Sequence, residues 1–221
     1  MPRKPPPAPA SGTRSRILAA ACDEFGARGF AATTVDRIAR RARVNKAMIY
    51  YHFPNKRALY TAIVRELYST LHDRLRAIAA QPLTPTQKLD ALIETFVRSV
   101  DGSRHFLPFF LREIADGAVH LGAEELGLIG GIFSIVRGVI TEGTRQKLFQ
   151  PVNPALAHFT IIGPLIMFRA TAPVRERIKL TQRIDIPDVE SAALVGHLQM
   201  VARRMLAPAS AEEHHADKKP R

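Results

Sequence analysis

From Thr13 onward the apolar positions recur with a helical period almost without a break. Ile17, Leu18, Ala21, Cys22 and Phe25 fall on one stripe of a first helix, which Gly29 is placed to end in a left-handed cap. Thr33 and Thr34 offer hydroxyls to cap a short second helix whose inward face is Val35, Ile38, Ala39 and Ala42. After a turn at Arg43-Val44, Asn45 caps a third short helix over Lys46–His52, with Met48, Ile49 and Phe53 toward the core. Pro54-Asn55 breaks the chain and Asn55 caps a long fourth helix, striped by Leu59, Ile63, Leu67, Leu71, Leu75 and Ile78.

Gln81–Pro85 ends that helix. Leu89, Leu92, Ile93, Phe96, Val97 and Val100 then form the clearest amphipathic stripe in the chain. A short helix starts near Phe106 with Pro108 in its first turn, where proline is tolerated. Ala123–Lys147 reads as a helix loosened by five glycines, which permit close packing or movement. Asn153-Pro154 opens a helix over Ala155–Ala172 that Pro164 should kink, and Pro173–Pro187 reads as a loop with no more than one helical turn. The last helix is Asp188–Leu206. No strand and no repeat is apparent, so the expected fold is all-α.

Both ends differ from this pattern. Residues 1–12, rich in proline, read as an extended arm carrying Arg3 and Lys4, and the polar tail 207–221 reads as disordered. Between them the expected division is a first domain over 13–60 and a larger helical domain over 61–206.

Charge sharpens that division. The chain of 221 residues carries a formal net charge of +12, and residues 1–60 hold 12 Lys/Arg against 3 Asp/Glu while residues 61–221 hold 20 against 17. A basic domain joined to a nearly neutral one suggests that the first meets a polyanion. Charge alone does not choose between nucleic acid and an anionic membrane. The single cysteine, Cys22, forbids an intramolecular disulfide and fits a reducing compartment. With no apolar signal core, and with Ala155–Phe168 too short to span a bilayer, the chain is expected to be cytoplasmic, without a membrane partner.

Enzyme chemistry finds little support in the residues. The glycines of 122–131 lack a preceding strand and a following Lys-Ser/Thr, and no Gly-x-Ser-x-Gly, His-Glu-x-x-His or Cys-x-x-Cys occurs. Glu212-Glu213-His214-His215 lies in the polar tail, where such a group is incidental. No metal and no cofactor is expected.

Three short helices separated by tight turns, the third beginning Asn45-Lys46-Ala47 and ending Tyr50-Tyr51-His52, have the form of a helix-turn-helix. A helix N-terminus in the major groove presents short polar side chains to base edges. Asn45, Lys46 and Ala47 are placed to read sequence there, and Tyr50, one turn beyond Lys46, to touch a base or thymine methyl. Thr34, Tyr51, His52 and Lys56 suit phosphate contact, although Tyr51 is also read as a packing residue and His52 as a plain surface one. The basic arm is read either as a minor-groove contact or as a solvated tail.

ILAAACDEFGARGF followed by TTVDRIARRARVNKAMIYYHFPNKRAL resembles the TetR family of bacterial transcriptional regulators over residues 14–63, through Phe-x-x-x-Gly-Phe, Thr-Val-x-x-Ile-Ala, Tyr-Tyr-His-Phe and the lysine that follows. The resemblance implies an N-terminal DNA-binding domain followed by a larger ligand-binding and dimerisation domain. It implies a repressor that a small molecule releases from its operator. It implies DNA contacts at Thr34, Asn45, Lys46, Ala47, Tyr50, Tyr51, His52 and Lys56. One departure stands out: Arg43 replaces the family's usual glycine. If position 43 has φ > 0, a side chain there costs about 1–2 kcal/mol, which a phosphate contact would offset.

Phenylalanines are plentiful after Arg65. Most belong to a core, yet Phe96, His105, Phe109, Phe110, Glu113, His120, Phe133 and Arg137 are also the side chains expected to line an effector cavity, and the resemblance implies an inducer pocket among them. The last two helices are apolar on more than one face. Ala192, Ala193, Gly196 and Met200, at helical spacing, suit close approach across a two-fold axis, and a homodimer would set two recognition helices on a near-palindromic double-stranded operator.

Overall fold

A computed structural model describes residues 10–208. Among them the chain forms ten helices and no strand: α1 (Ala10–Ala32), α2 (Val35–Ala42), α3 (Lys46–His52), α4 (Lys56–Ala79), α5 (Pro85–Asp101), α6 (Phe106–Ala115), α7 (Ala123–Arg145), α8 (Pro154–Ala170), α9 (Ala172–Gln182) and α10 (Ser191–Leu206). The arm expected over 1–12 lies outside the described residues as far as position 9, as does the tail from 209. Positions 10–12 are helical, because the proline restraint ends at Pro9.

Local chemistry explains most of the boundaries. Thr84 and Gln87 cap α5 reciprocally, and all six stripe positions from Leu89 to Val100 are buried. Asn153 caps α8 by accepting from Ala155 and Leu156 N–H groups at 2.9 and 3.2 Å, with Pro154 in the first turn.

Two expectations fail. Pro173–Pro187 is no loop: α9 fills its first ten positions, since Pro173 falls in the tolerated first turn. The Arg175 guanidinium steadies that helix by donating to the Phe168 carbonyl and to Asp188. Gly29 has positive φ (73°) but extended ψ (175°), so it bends the chain without a left-handed cap, and helical turns resume as far as Ala32.

The chain divides into two compact units. Within the first lie α1, α2, α3, α4 as far as Thr70, and residues 103–129 with α6. Ile17, Phe25, Ile38, Ile49, Leu59, Ile63 and Phe109 form its core, each fully buried side chain contributing about 1.5–3 kcal/mol. This compact unit reaches beyond residue 60, because α6 packs on α1. A Cβ at Gly26 would stand 3.6 Å from Pro108, and the Arg112 side chain comes within 3.3 Å of one at Gly29. Small residues on α1 let α6 approach.

The second unit holds residues 71–102 and 130–208 of those described. α10 packs on α5 and α8, with Leu198, Ala202 and Leu206 buried beside Leu92, Ile93 and Val97. Arg203 pairs with Asp90, Arg169 with Asp101 and Lys88 with Glu142. The Phe149 ring occupies the space a side chain at Gly143 would need, so that glycine of α7 serves close packing.

Candidate nucleic-acid interface

α2 and α3 are each fixed at both ends by local hydrogen bonds. Thr34 Oγ1 accepts from Arg37 N–H at 3.4 Å and opens α2. At its end Val44 N–H donates to Ala39 C=O (3.0 Å) and Arg43 N–H to Arg40 C=O (3.2 Å), a Schellman closure with Arg43 in the left-handed region at φ 54°, ψ 47°. The conformation expected for a glycine at position 43 is thus present with arginine in it. Asn45 Oδ1 accepts from Met48 N–H at 2.7 Å and starts α3.

α3 has one buried and one open side. Ile49 is buried, Met48 and His52 are half-buried, and Asn45, Lys46, Ala47, Tyr50 and Tyr51 are exposed. Tyr51 is 80% exposed, which removes its packing role, and Tyr50 is 46% exposed. Five of the expected DNA-contacting side chains therefore share one solvent face. Lys46 Nζ pairs with Asp36 at 3.0 Å, and that hydrogen bond and charge raise its pKa.

Lys56 differs from the reading of it as a plain phosphate ligand. Its Nζ donates to the Phe30 and Thr33 carbonyls at 2.9 and 3.0 Å and lies 4.3 Å over the Phe30 ring. Two of its three protons tie the start of α4 to the end of α1, beside the Thr34 cap. Thr33 does not cap α2; its buried hydroxyl donates to the Glu24 and Gly29 carbonyls.

The scaffold under this face rests on carboxylates that pattern reading passes over. Asp23 accepts from Arg41 of α2 at 2.7 and 2.9 Å, from Arg104 at 3.3 Å, and stands 3.3 Å from His105 Nδ1. Glu24 is paired with Arg28, Arg37 and Arg41. Burial alone would raise the Glu24 pKa, but the Arg37 hydrogen bond and the three guanidinium charges outweigh it and hold the carboxyl below the usual range. Only three acids occur in residues 1–60, Asp23, Glu24 and Asp36, and all three hold a cation of α2 or α3. Their scarcity in so basic a segment is the signal that marks them.

The expected effector residues fall into both units. In the first, the Phe109 and Tyr60 rings meet at 4.8 Å, and His120 lies 4.2 Å from the Phe30 ring and 5.9 Å from Tyr60. Phe110 stacks on Phe106, His105 faces Asp23, and Glu113 is buried. In the second, Phe96 and Phe133 converge on His158, a residue the sequence reading did not select, while Arg137 is exposed. Burial lowers the His158 pKa and leaves the imidazole neutral. Cys22 is buried, and burial foremost, with the Glu66 and Asp23 charges, pushes its thiol up to about 12, so it is inert.

The expected dimer residues Ala192, Ala193, Gly196 and Met200 are all exposed on α10. Leu156, Phe159, Gly163 and Met167 of the adjoining α8 recur along one face, and its three large side chains are exposed.

Residues 17–63 match the family described as bacterial regulatory proteins, tetR family. The chain is 33% identical to the transcriptional repressor KstR2 of Rhodococcus jostii over 125 residues, 55% of this chain and 59% of that protein. It is 29% identical to the transcriptional repressor NicS of Pseudomonas putida over 193 residues, 83% of this chain and 87% of that protein. In three dimensions it is similar to the regulator FadR of Bacillus subtilis, solved in complex with stearoyl-CoA, with a TM-score of 0.68 at 19% identity over 87% of this chain and 98% of that one.

Proposed function

We propose that this chain, whose residues 17–63 match the tetR family of bacterial regulatory proteins, is a sequence-specific DNA-binding regulator of transcription that acts in the cytoplasm as a homodimeric repressor on a near-palindromic operator, without a catalytic step, and that a small-molecule effector releases it. The observation that carries the reading is the exposed row Asn45, Lys46, Ala47, Tyr50 and Tyr51 on a helix whose opposite side is anchored by Ile49. Repression is favoured by the similarity to KstR2 and NicS, and response to a ligand by the FadR complex.

Each side chain has a share in the contact. Asn45 spends its amide oxygen on the cap and keeps its NH₂ group for a base acceptor. Lys46 leaves Asp36 for the acceptor edge of a base, an exchange between two exposed sites. Ala47 gives the backbone room, and Tyr50 reaches a base or thymine methyl. Thr34, Arg43, Tyr51, His52 and the third proton of Lys56 meet phosphates. An effector biases the dimer between two spacings of its recognition helices by binding one state more tightly.

Selection of bound sequences from a random duplex pool tests the reading, with anionic vesicles titrated in parallel. Salt-sensitive binding to a symmetric duplex motif is expected. Binding to vesicles with no sequence preference would overturn it. Two substitutions refine the roles. Lys46→Ala is expected to lose about 1–3 kcal/mol and relax the preference at one base position of each half-site. A loss equal across all sequences would instead make Lys46 a phosphate ligand. Arg43→Gly is expected to raise thermal stability by about 1 kcal/mol while operator affinity falls. A gain in affinity would remove the phosphate role of Arg43.

A further inference from the structure

The unit that contains α3 buries two glutamates on α6 and α7 in opposite circumstances. Glu125 receives Arg65 Nε at 2.6 Å and the Gly122 N–H at 2.8 Å. Glu113 is 4% exposed and neither of its oxygens has a hydrogen-bond partner. The Tyr60 hydroxyl, in the same unit, is also buried and unpartnered. Glu113 lies one turn beyond Phe109 on the same face of α6, and Phe109 packs against the Tyr60 ring. Burial foremost, and then the like charge of Asp116, push the Glu113 carboxyl up to about 7. A buried carboxylate left without a partner is costly, and a bound cation removes that cost.

We propose that Glu113 and the Tyr60 hydroxyl are the polar anchors for the cationic nitrogen of a small organic effector, an amine or amidine carrying an apolar body. An ammonium brings up to three donors, and the carboxylate and phenol oxygens are acceptors without other partners. The Tyr60 and Phe109 rings supply the apolar wall and faces that attract a cation. Effectors whose reacting end is a carboxylate are repelled by the same group. Occupancy is felt at the DNA-binding helices, since α6 rests on Gly26 and Gly29 of α1 and the residues leading into it, Arg104 and His105, share Asp23 with Arg41 of α2. This inference rests on the reading of the chain as a ligand-responsive regulator.

The test uses the full chain at pH 8 and a series of arylalkylamines from benzylamine to 4-phenylbutylamine, each beside the carboxylate of equal length. The amines are expected to raise the melting temperature saturably and to weaken operator binding, and the carboxylates to do neither. Glu113→Gln is expected to weaken the amine response at least tenfold, and Tyr60→Phe, which deletes one hydroxyl, to weaken it by a smaller factor. Equal responses to both series, no response to any amine, or amine responses unchanged in both variants would overturn the site. Operator binding by the unliganded wild-type protein is measured in the same samples. Its absence would overturn the regulator reading instead.

Discussion

Phe159→Arg is expected to turn the proposed dimer into monomers and to lower affinity for a full palindromic operator about 10²–10⁴-fold, leaving affinity for an isolated half-site unchanged. Phe159 is 67% exposed on α8, as is Leu156, and with Met167 they flank Gly163 on one helical face. On α10, which packs against α8, Ala192, Ala193, Gly196 and Met200 are exposed as well. An exposed apolar face of this kind marks an association surface. In a two-fold interface each substitution occurs twice, so two guanidinium groups would be desolvated or brought together at one axis. The Phe159 side chain is not part of the core, and the melting temperature of the variant's separate subunit is expected to drop only through the lost partner. Sedimentation velocity measures the association state, and titration of full and half operators measures the affinities. A variant that stays dimeric and binds the full operator as tightly as wild type would move the interface off α8.

The parts of the fold legible in the sequence are those where side-chain period and local capping decide the structure. The stripe of α5 is buried throughout, and the Thr34 and Asn45 caps lie where the pattern puts them, because these features depend on residues within one or two turns. The same holds for Arg43, whose positive φ follows from the helix closure and not from its own preference. What escaped depends on distant partners. α9 was hidden by Pro173, whose position inside a first turn is tolerated, and by Arg175, whose contacts with Phe168 and Asp188 no periodic pattern displays. The role of Lys56 in joining α4 to α1, and that of Asp23 in joining α1, α2 and the approach to α6, span 18 to 82 positions in the chain. Pattern reading placed the exposed face of α3; it could not see what holds that face in place.

Glu113→Gln is expected to stabilise the protein by about 2–3 kcal/mol at pH 8 and by almost nothing at pH 4.5. Burial raises the folded-state pKa of Glu113 from an ordinary 4.5 to about 7, so between those values the folded chain keeps a proton that the unfolded chain has released. Its contribution to stability is intact below about 4.5 and is lost as pH rises through about 7. Glu24 and Glu125 work in the other direction. Their paired carboxyls are held below the usual range, so their contributions are present at neutral pH and fade as acid protonates them. The wild-type profile mixes the two signs, and the difference between wild type and Glu113→Gln isolates the first, since glutamine keeps the shape and removes the charge. Urea unfolding at half-unit steps from pH 4.5 to 8 measures it. Parallel profiles for the two proteins would mean that Glu113 ionises in the folded state as freely as in water, and would require a cation or a water-filled path at its carboxyl.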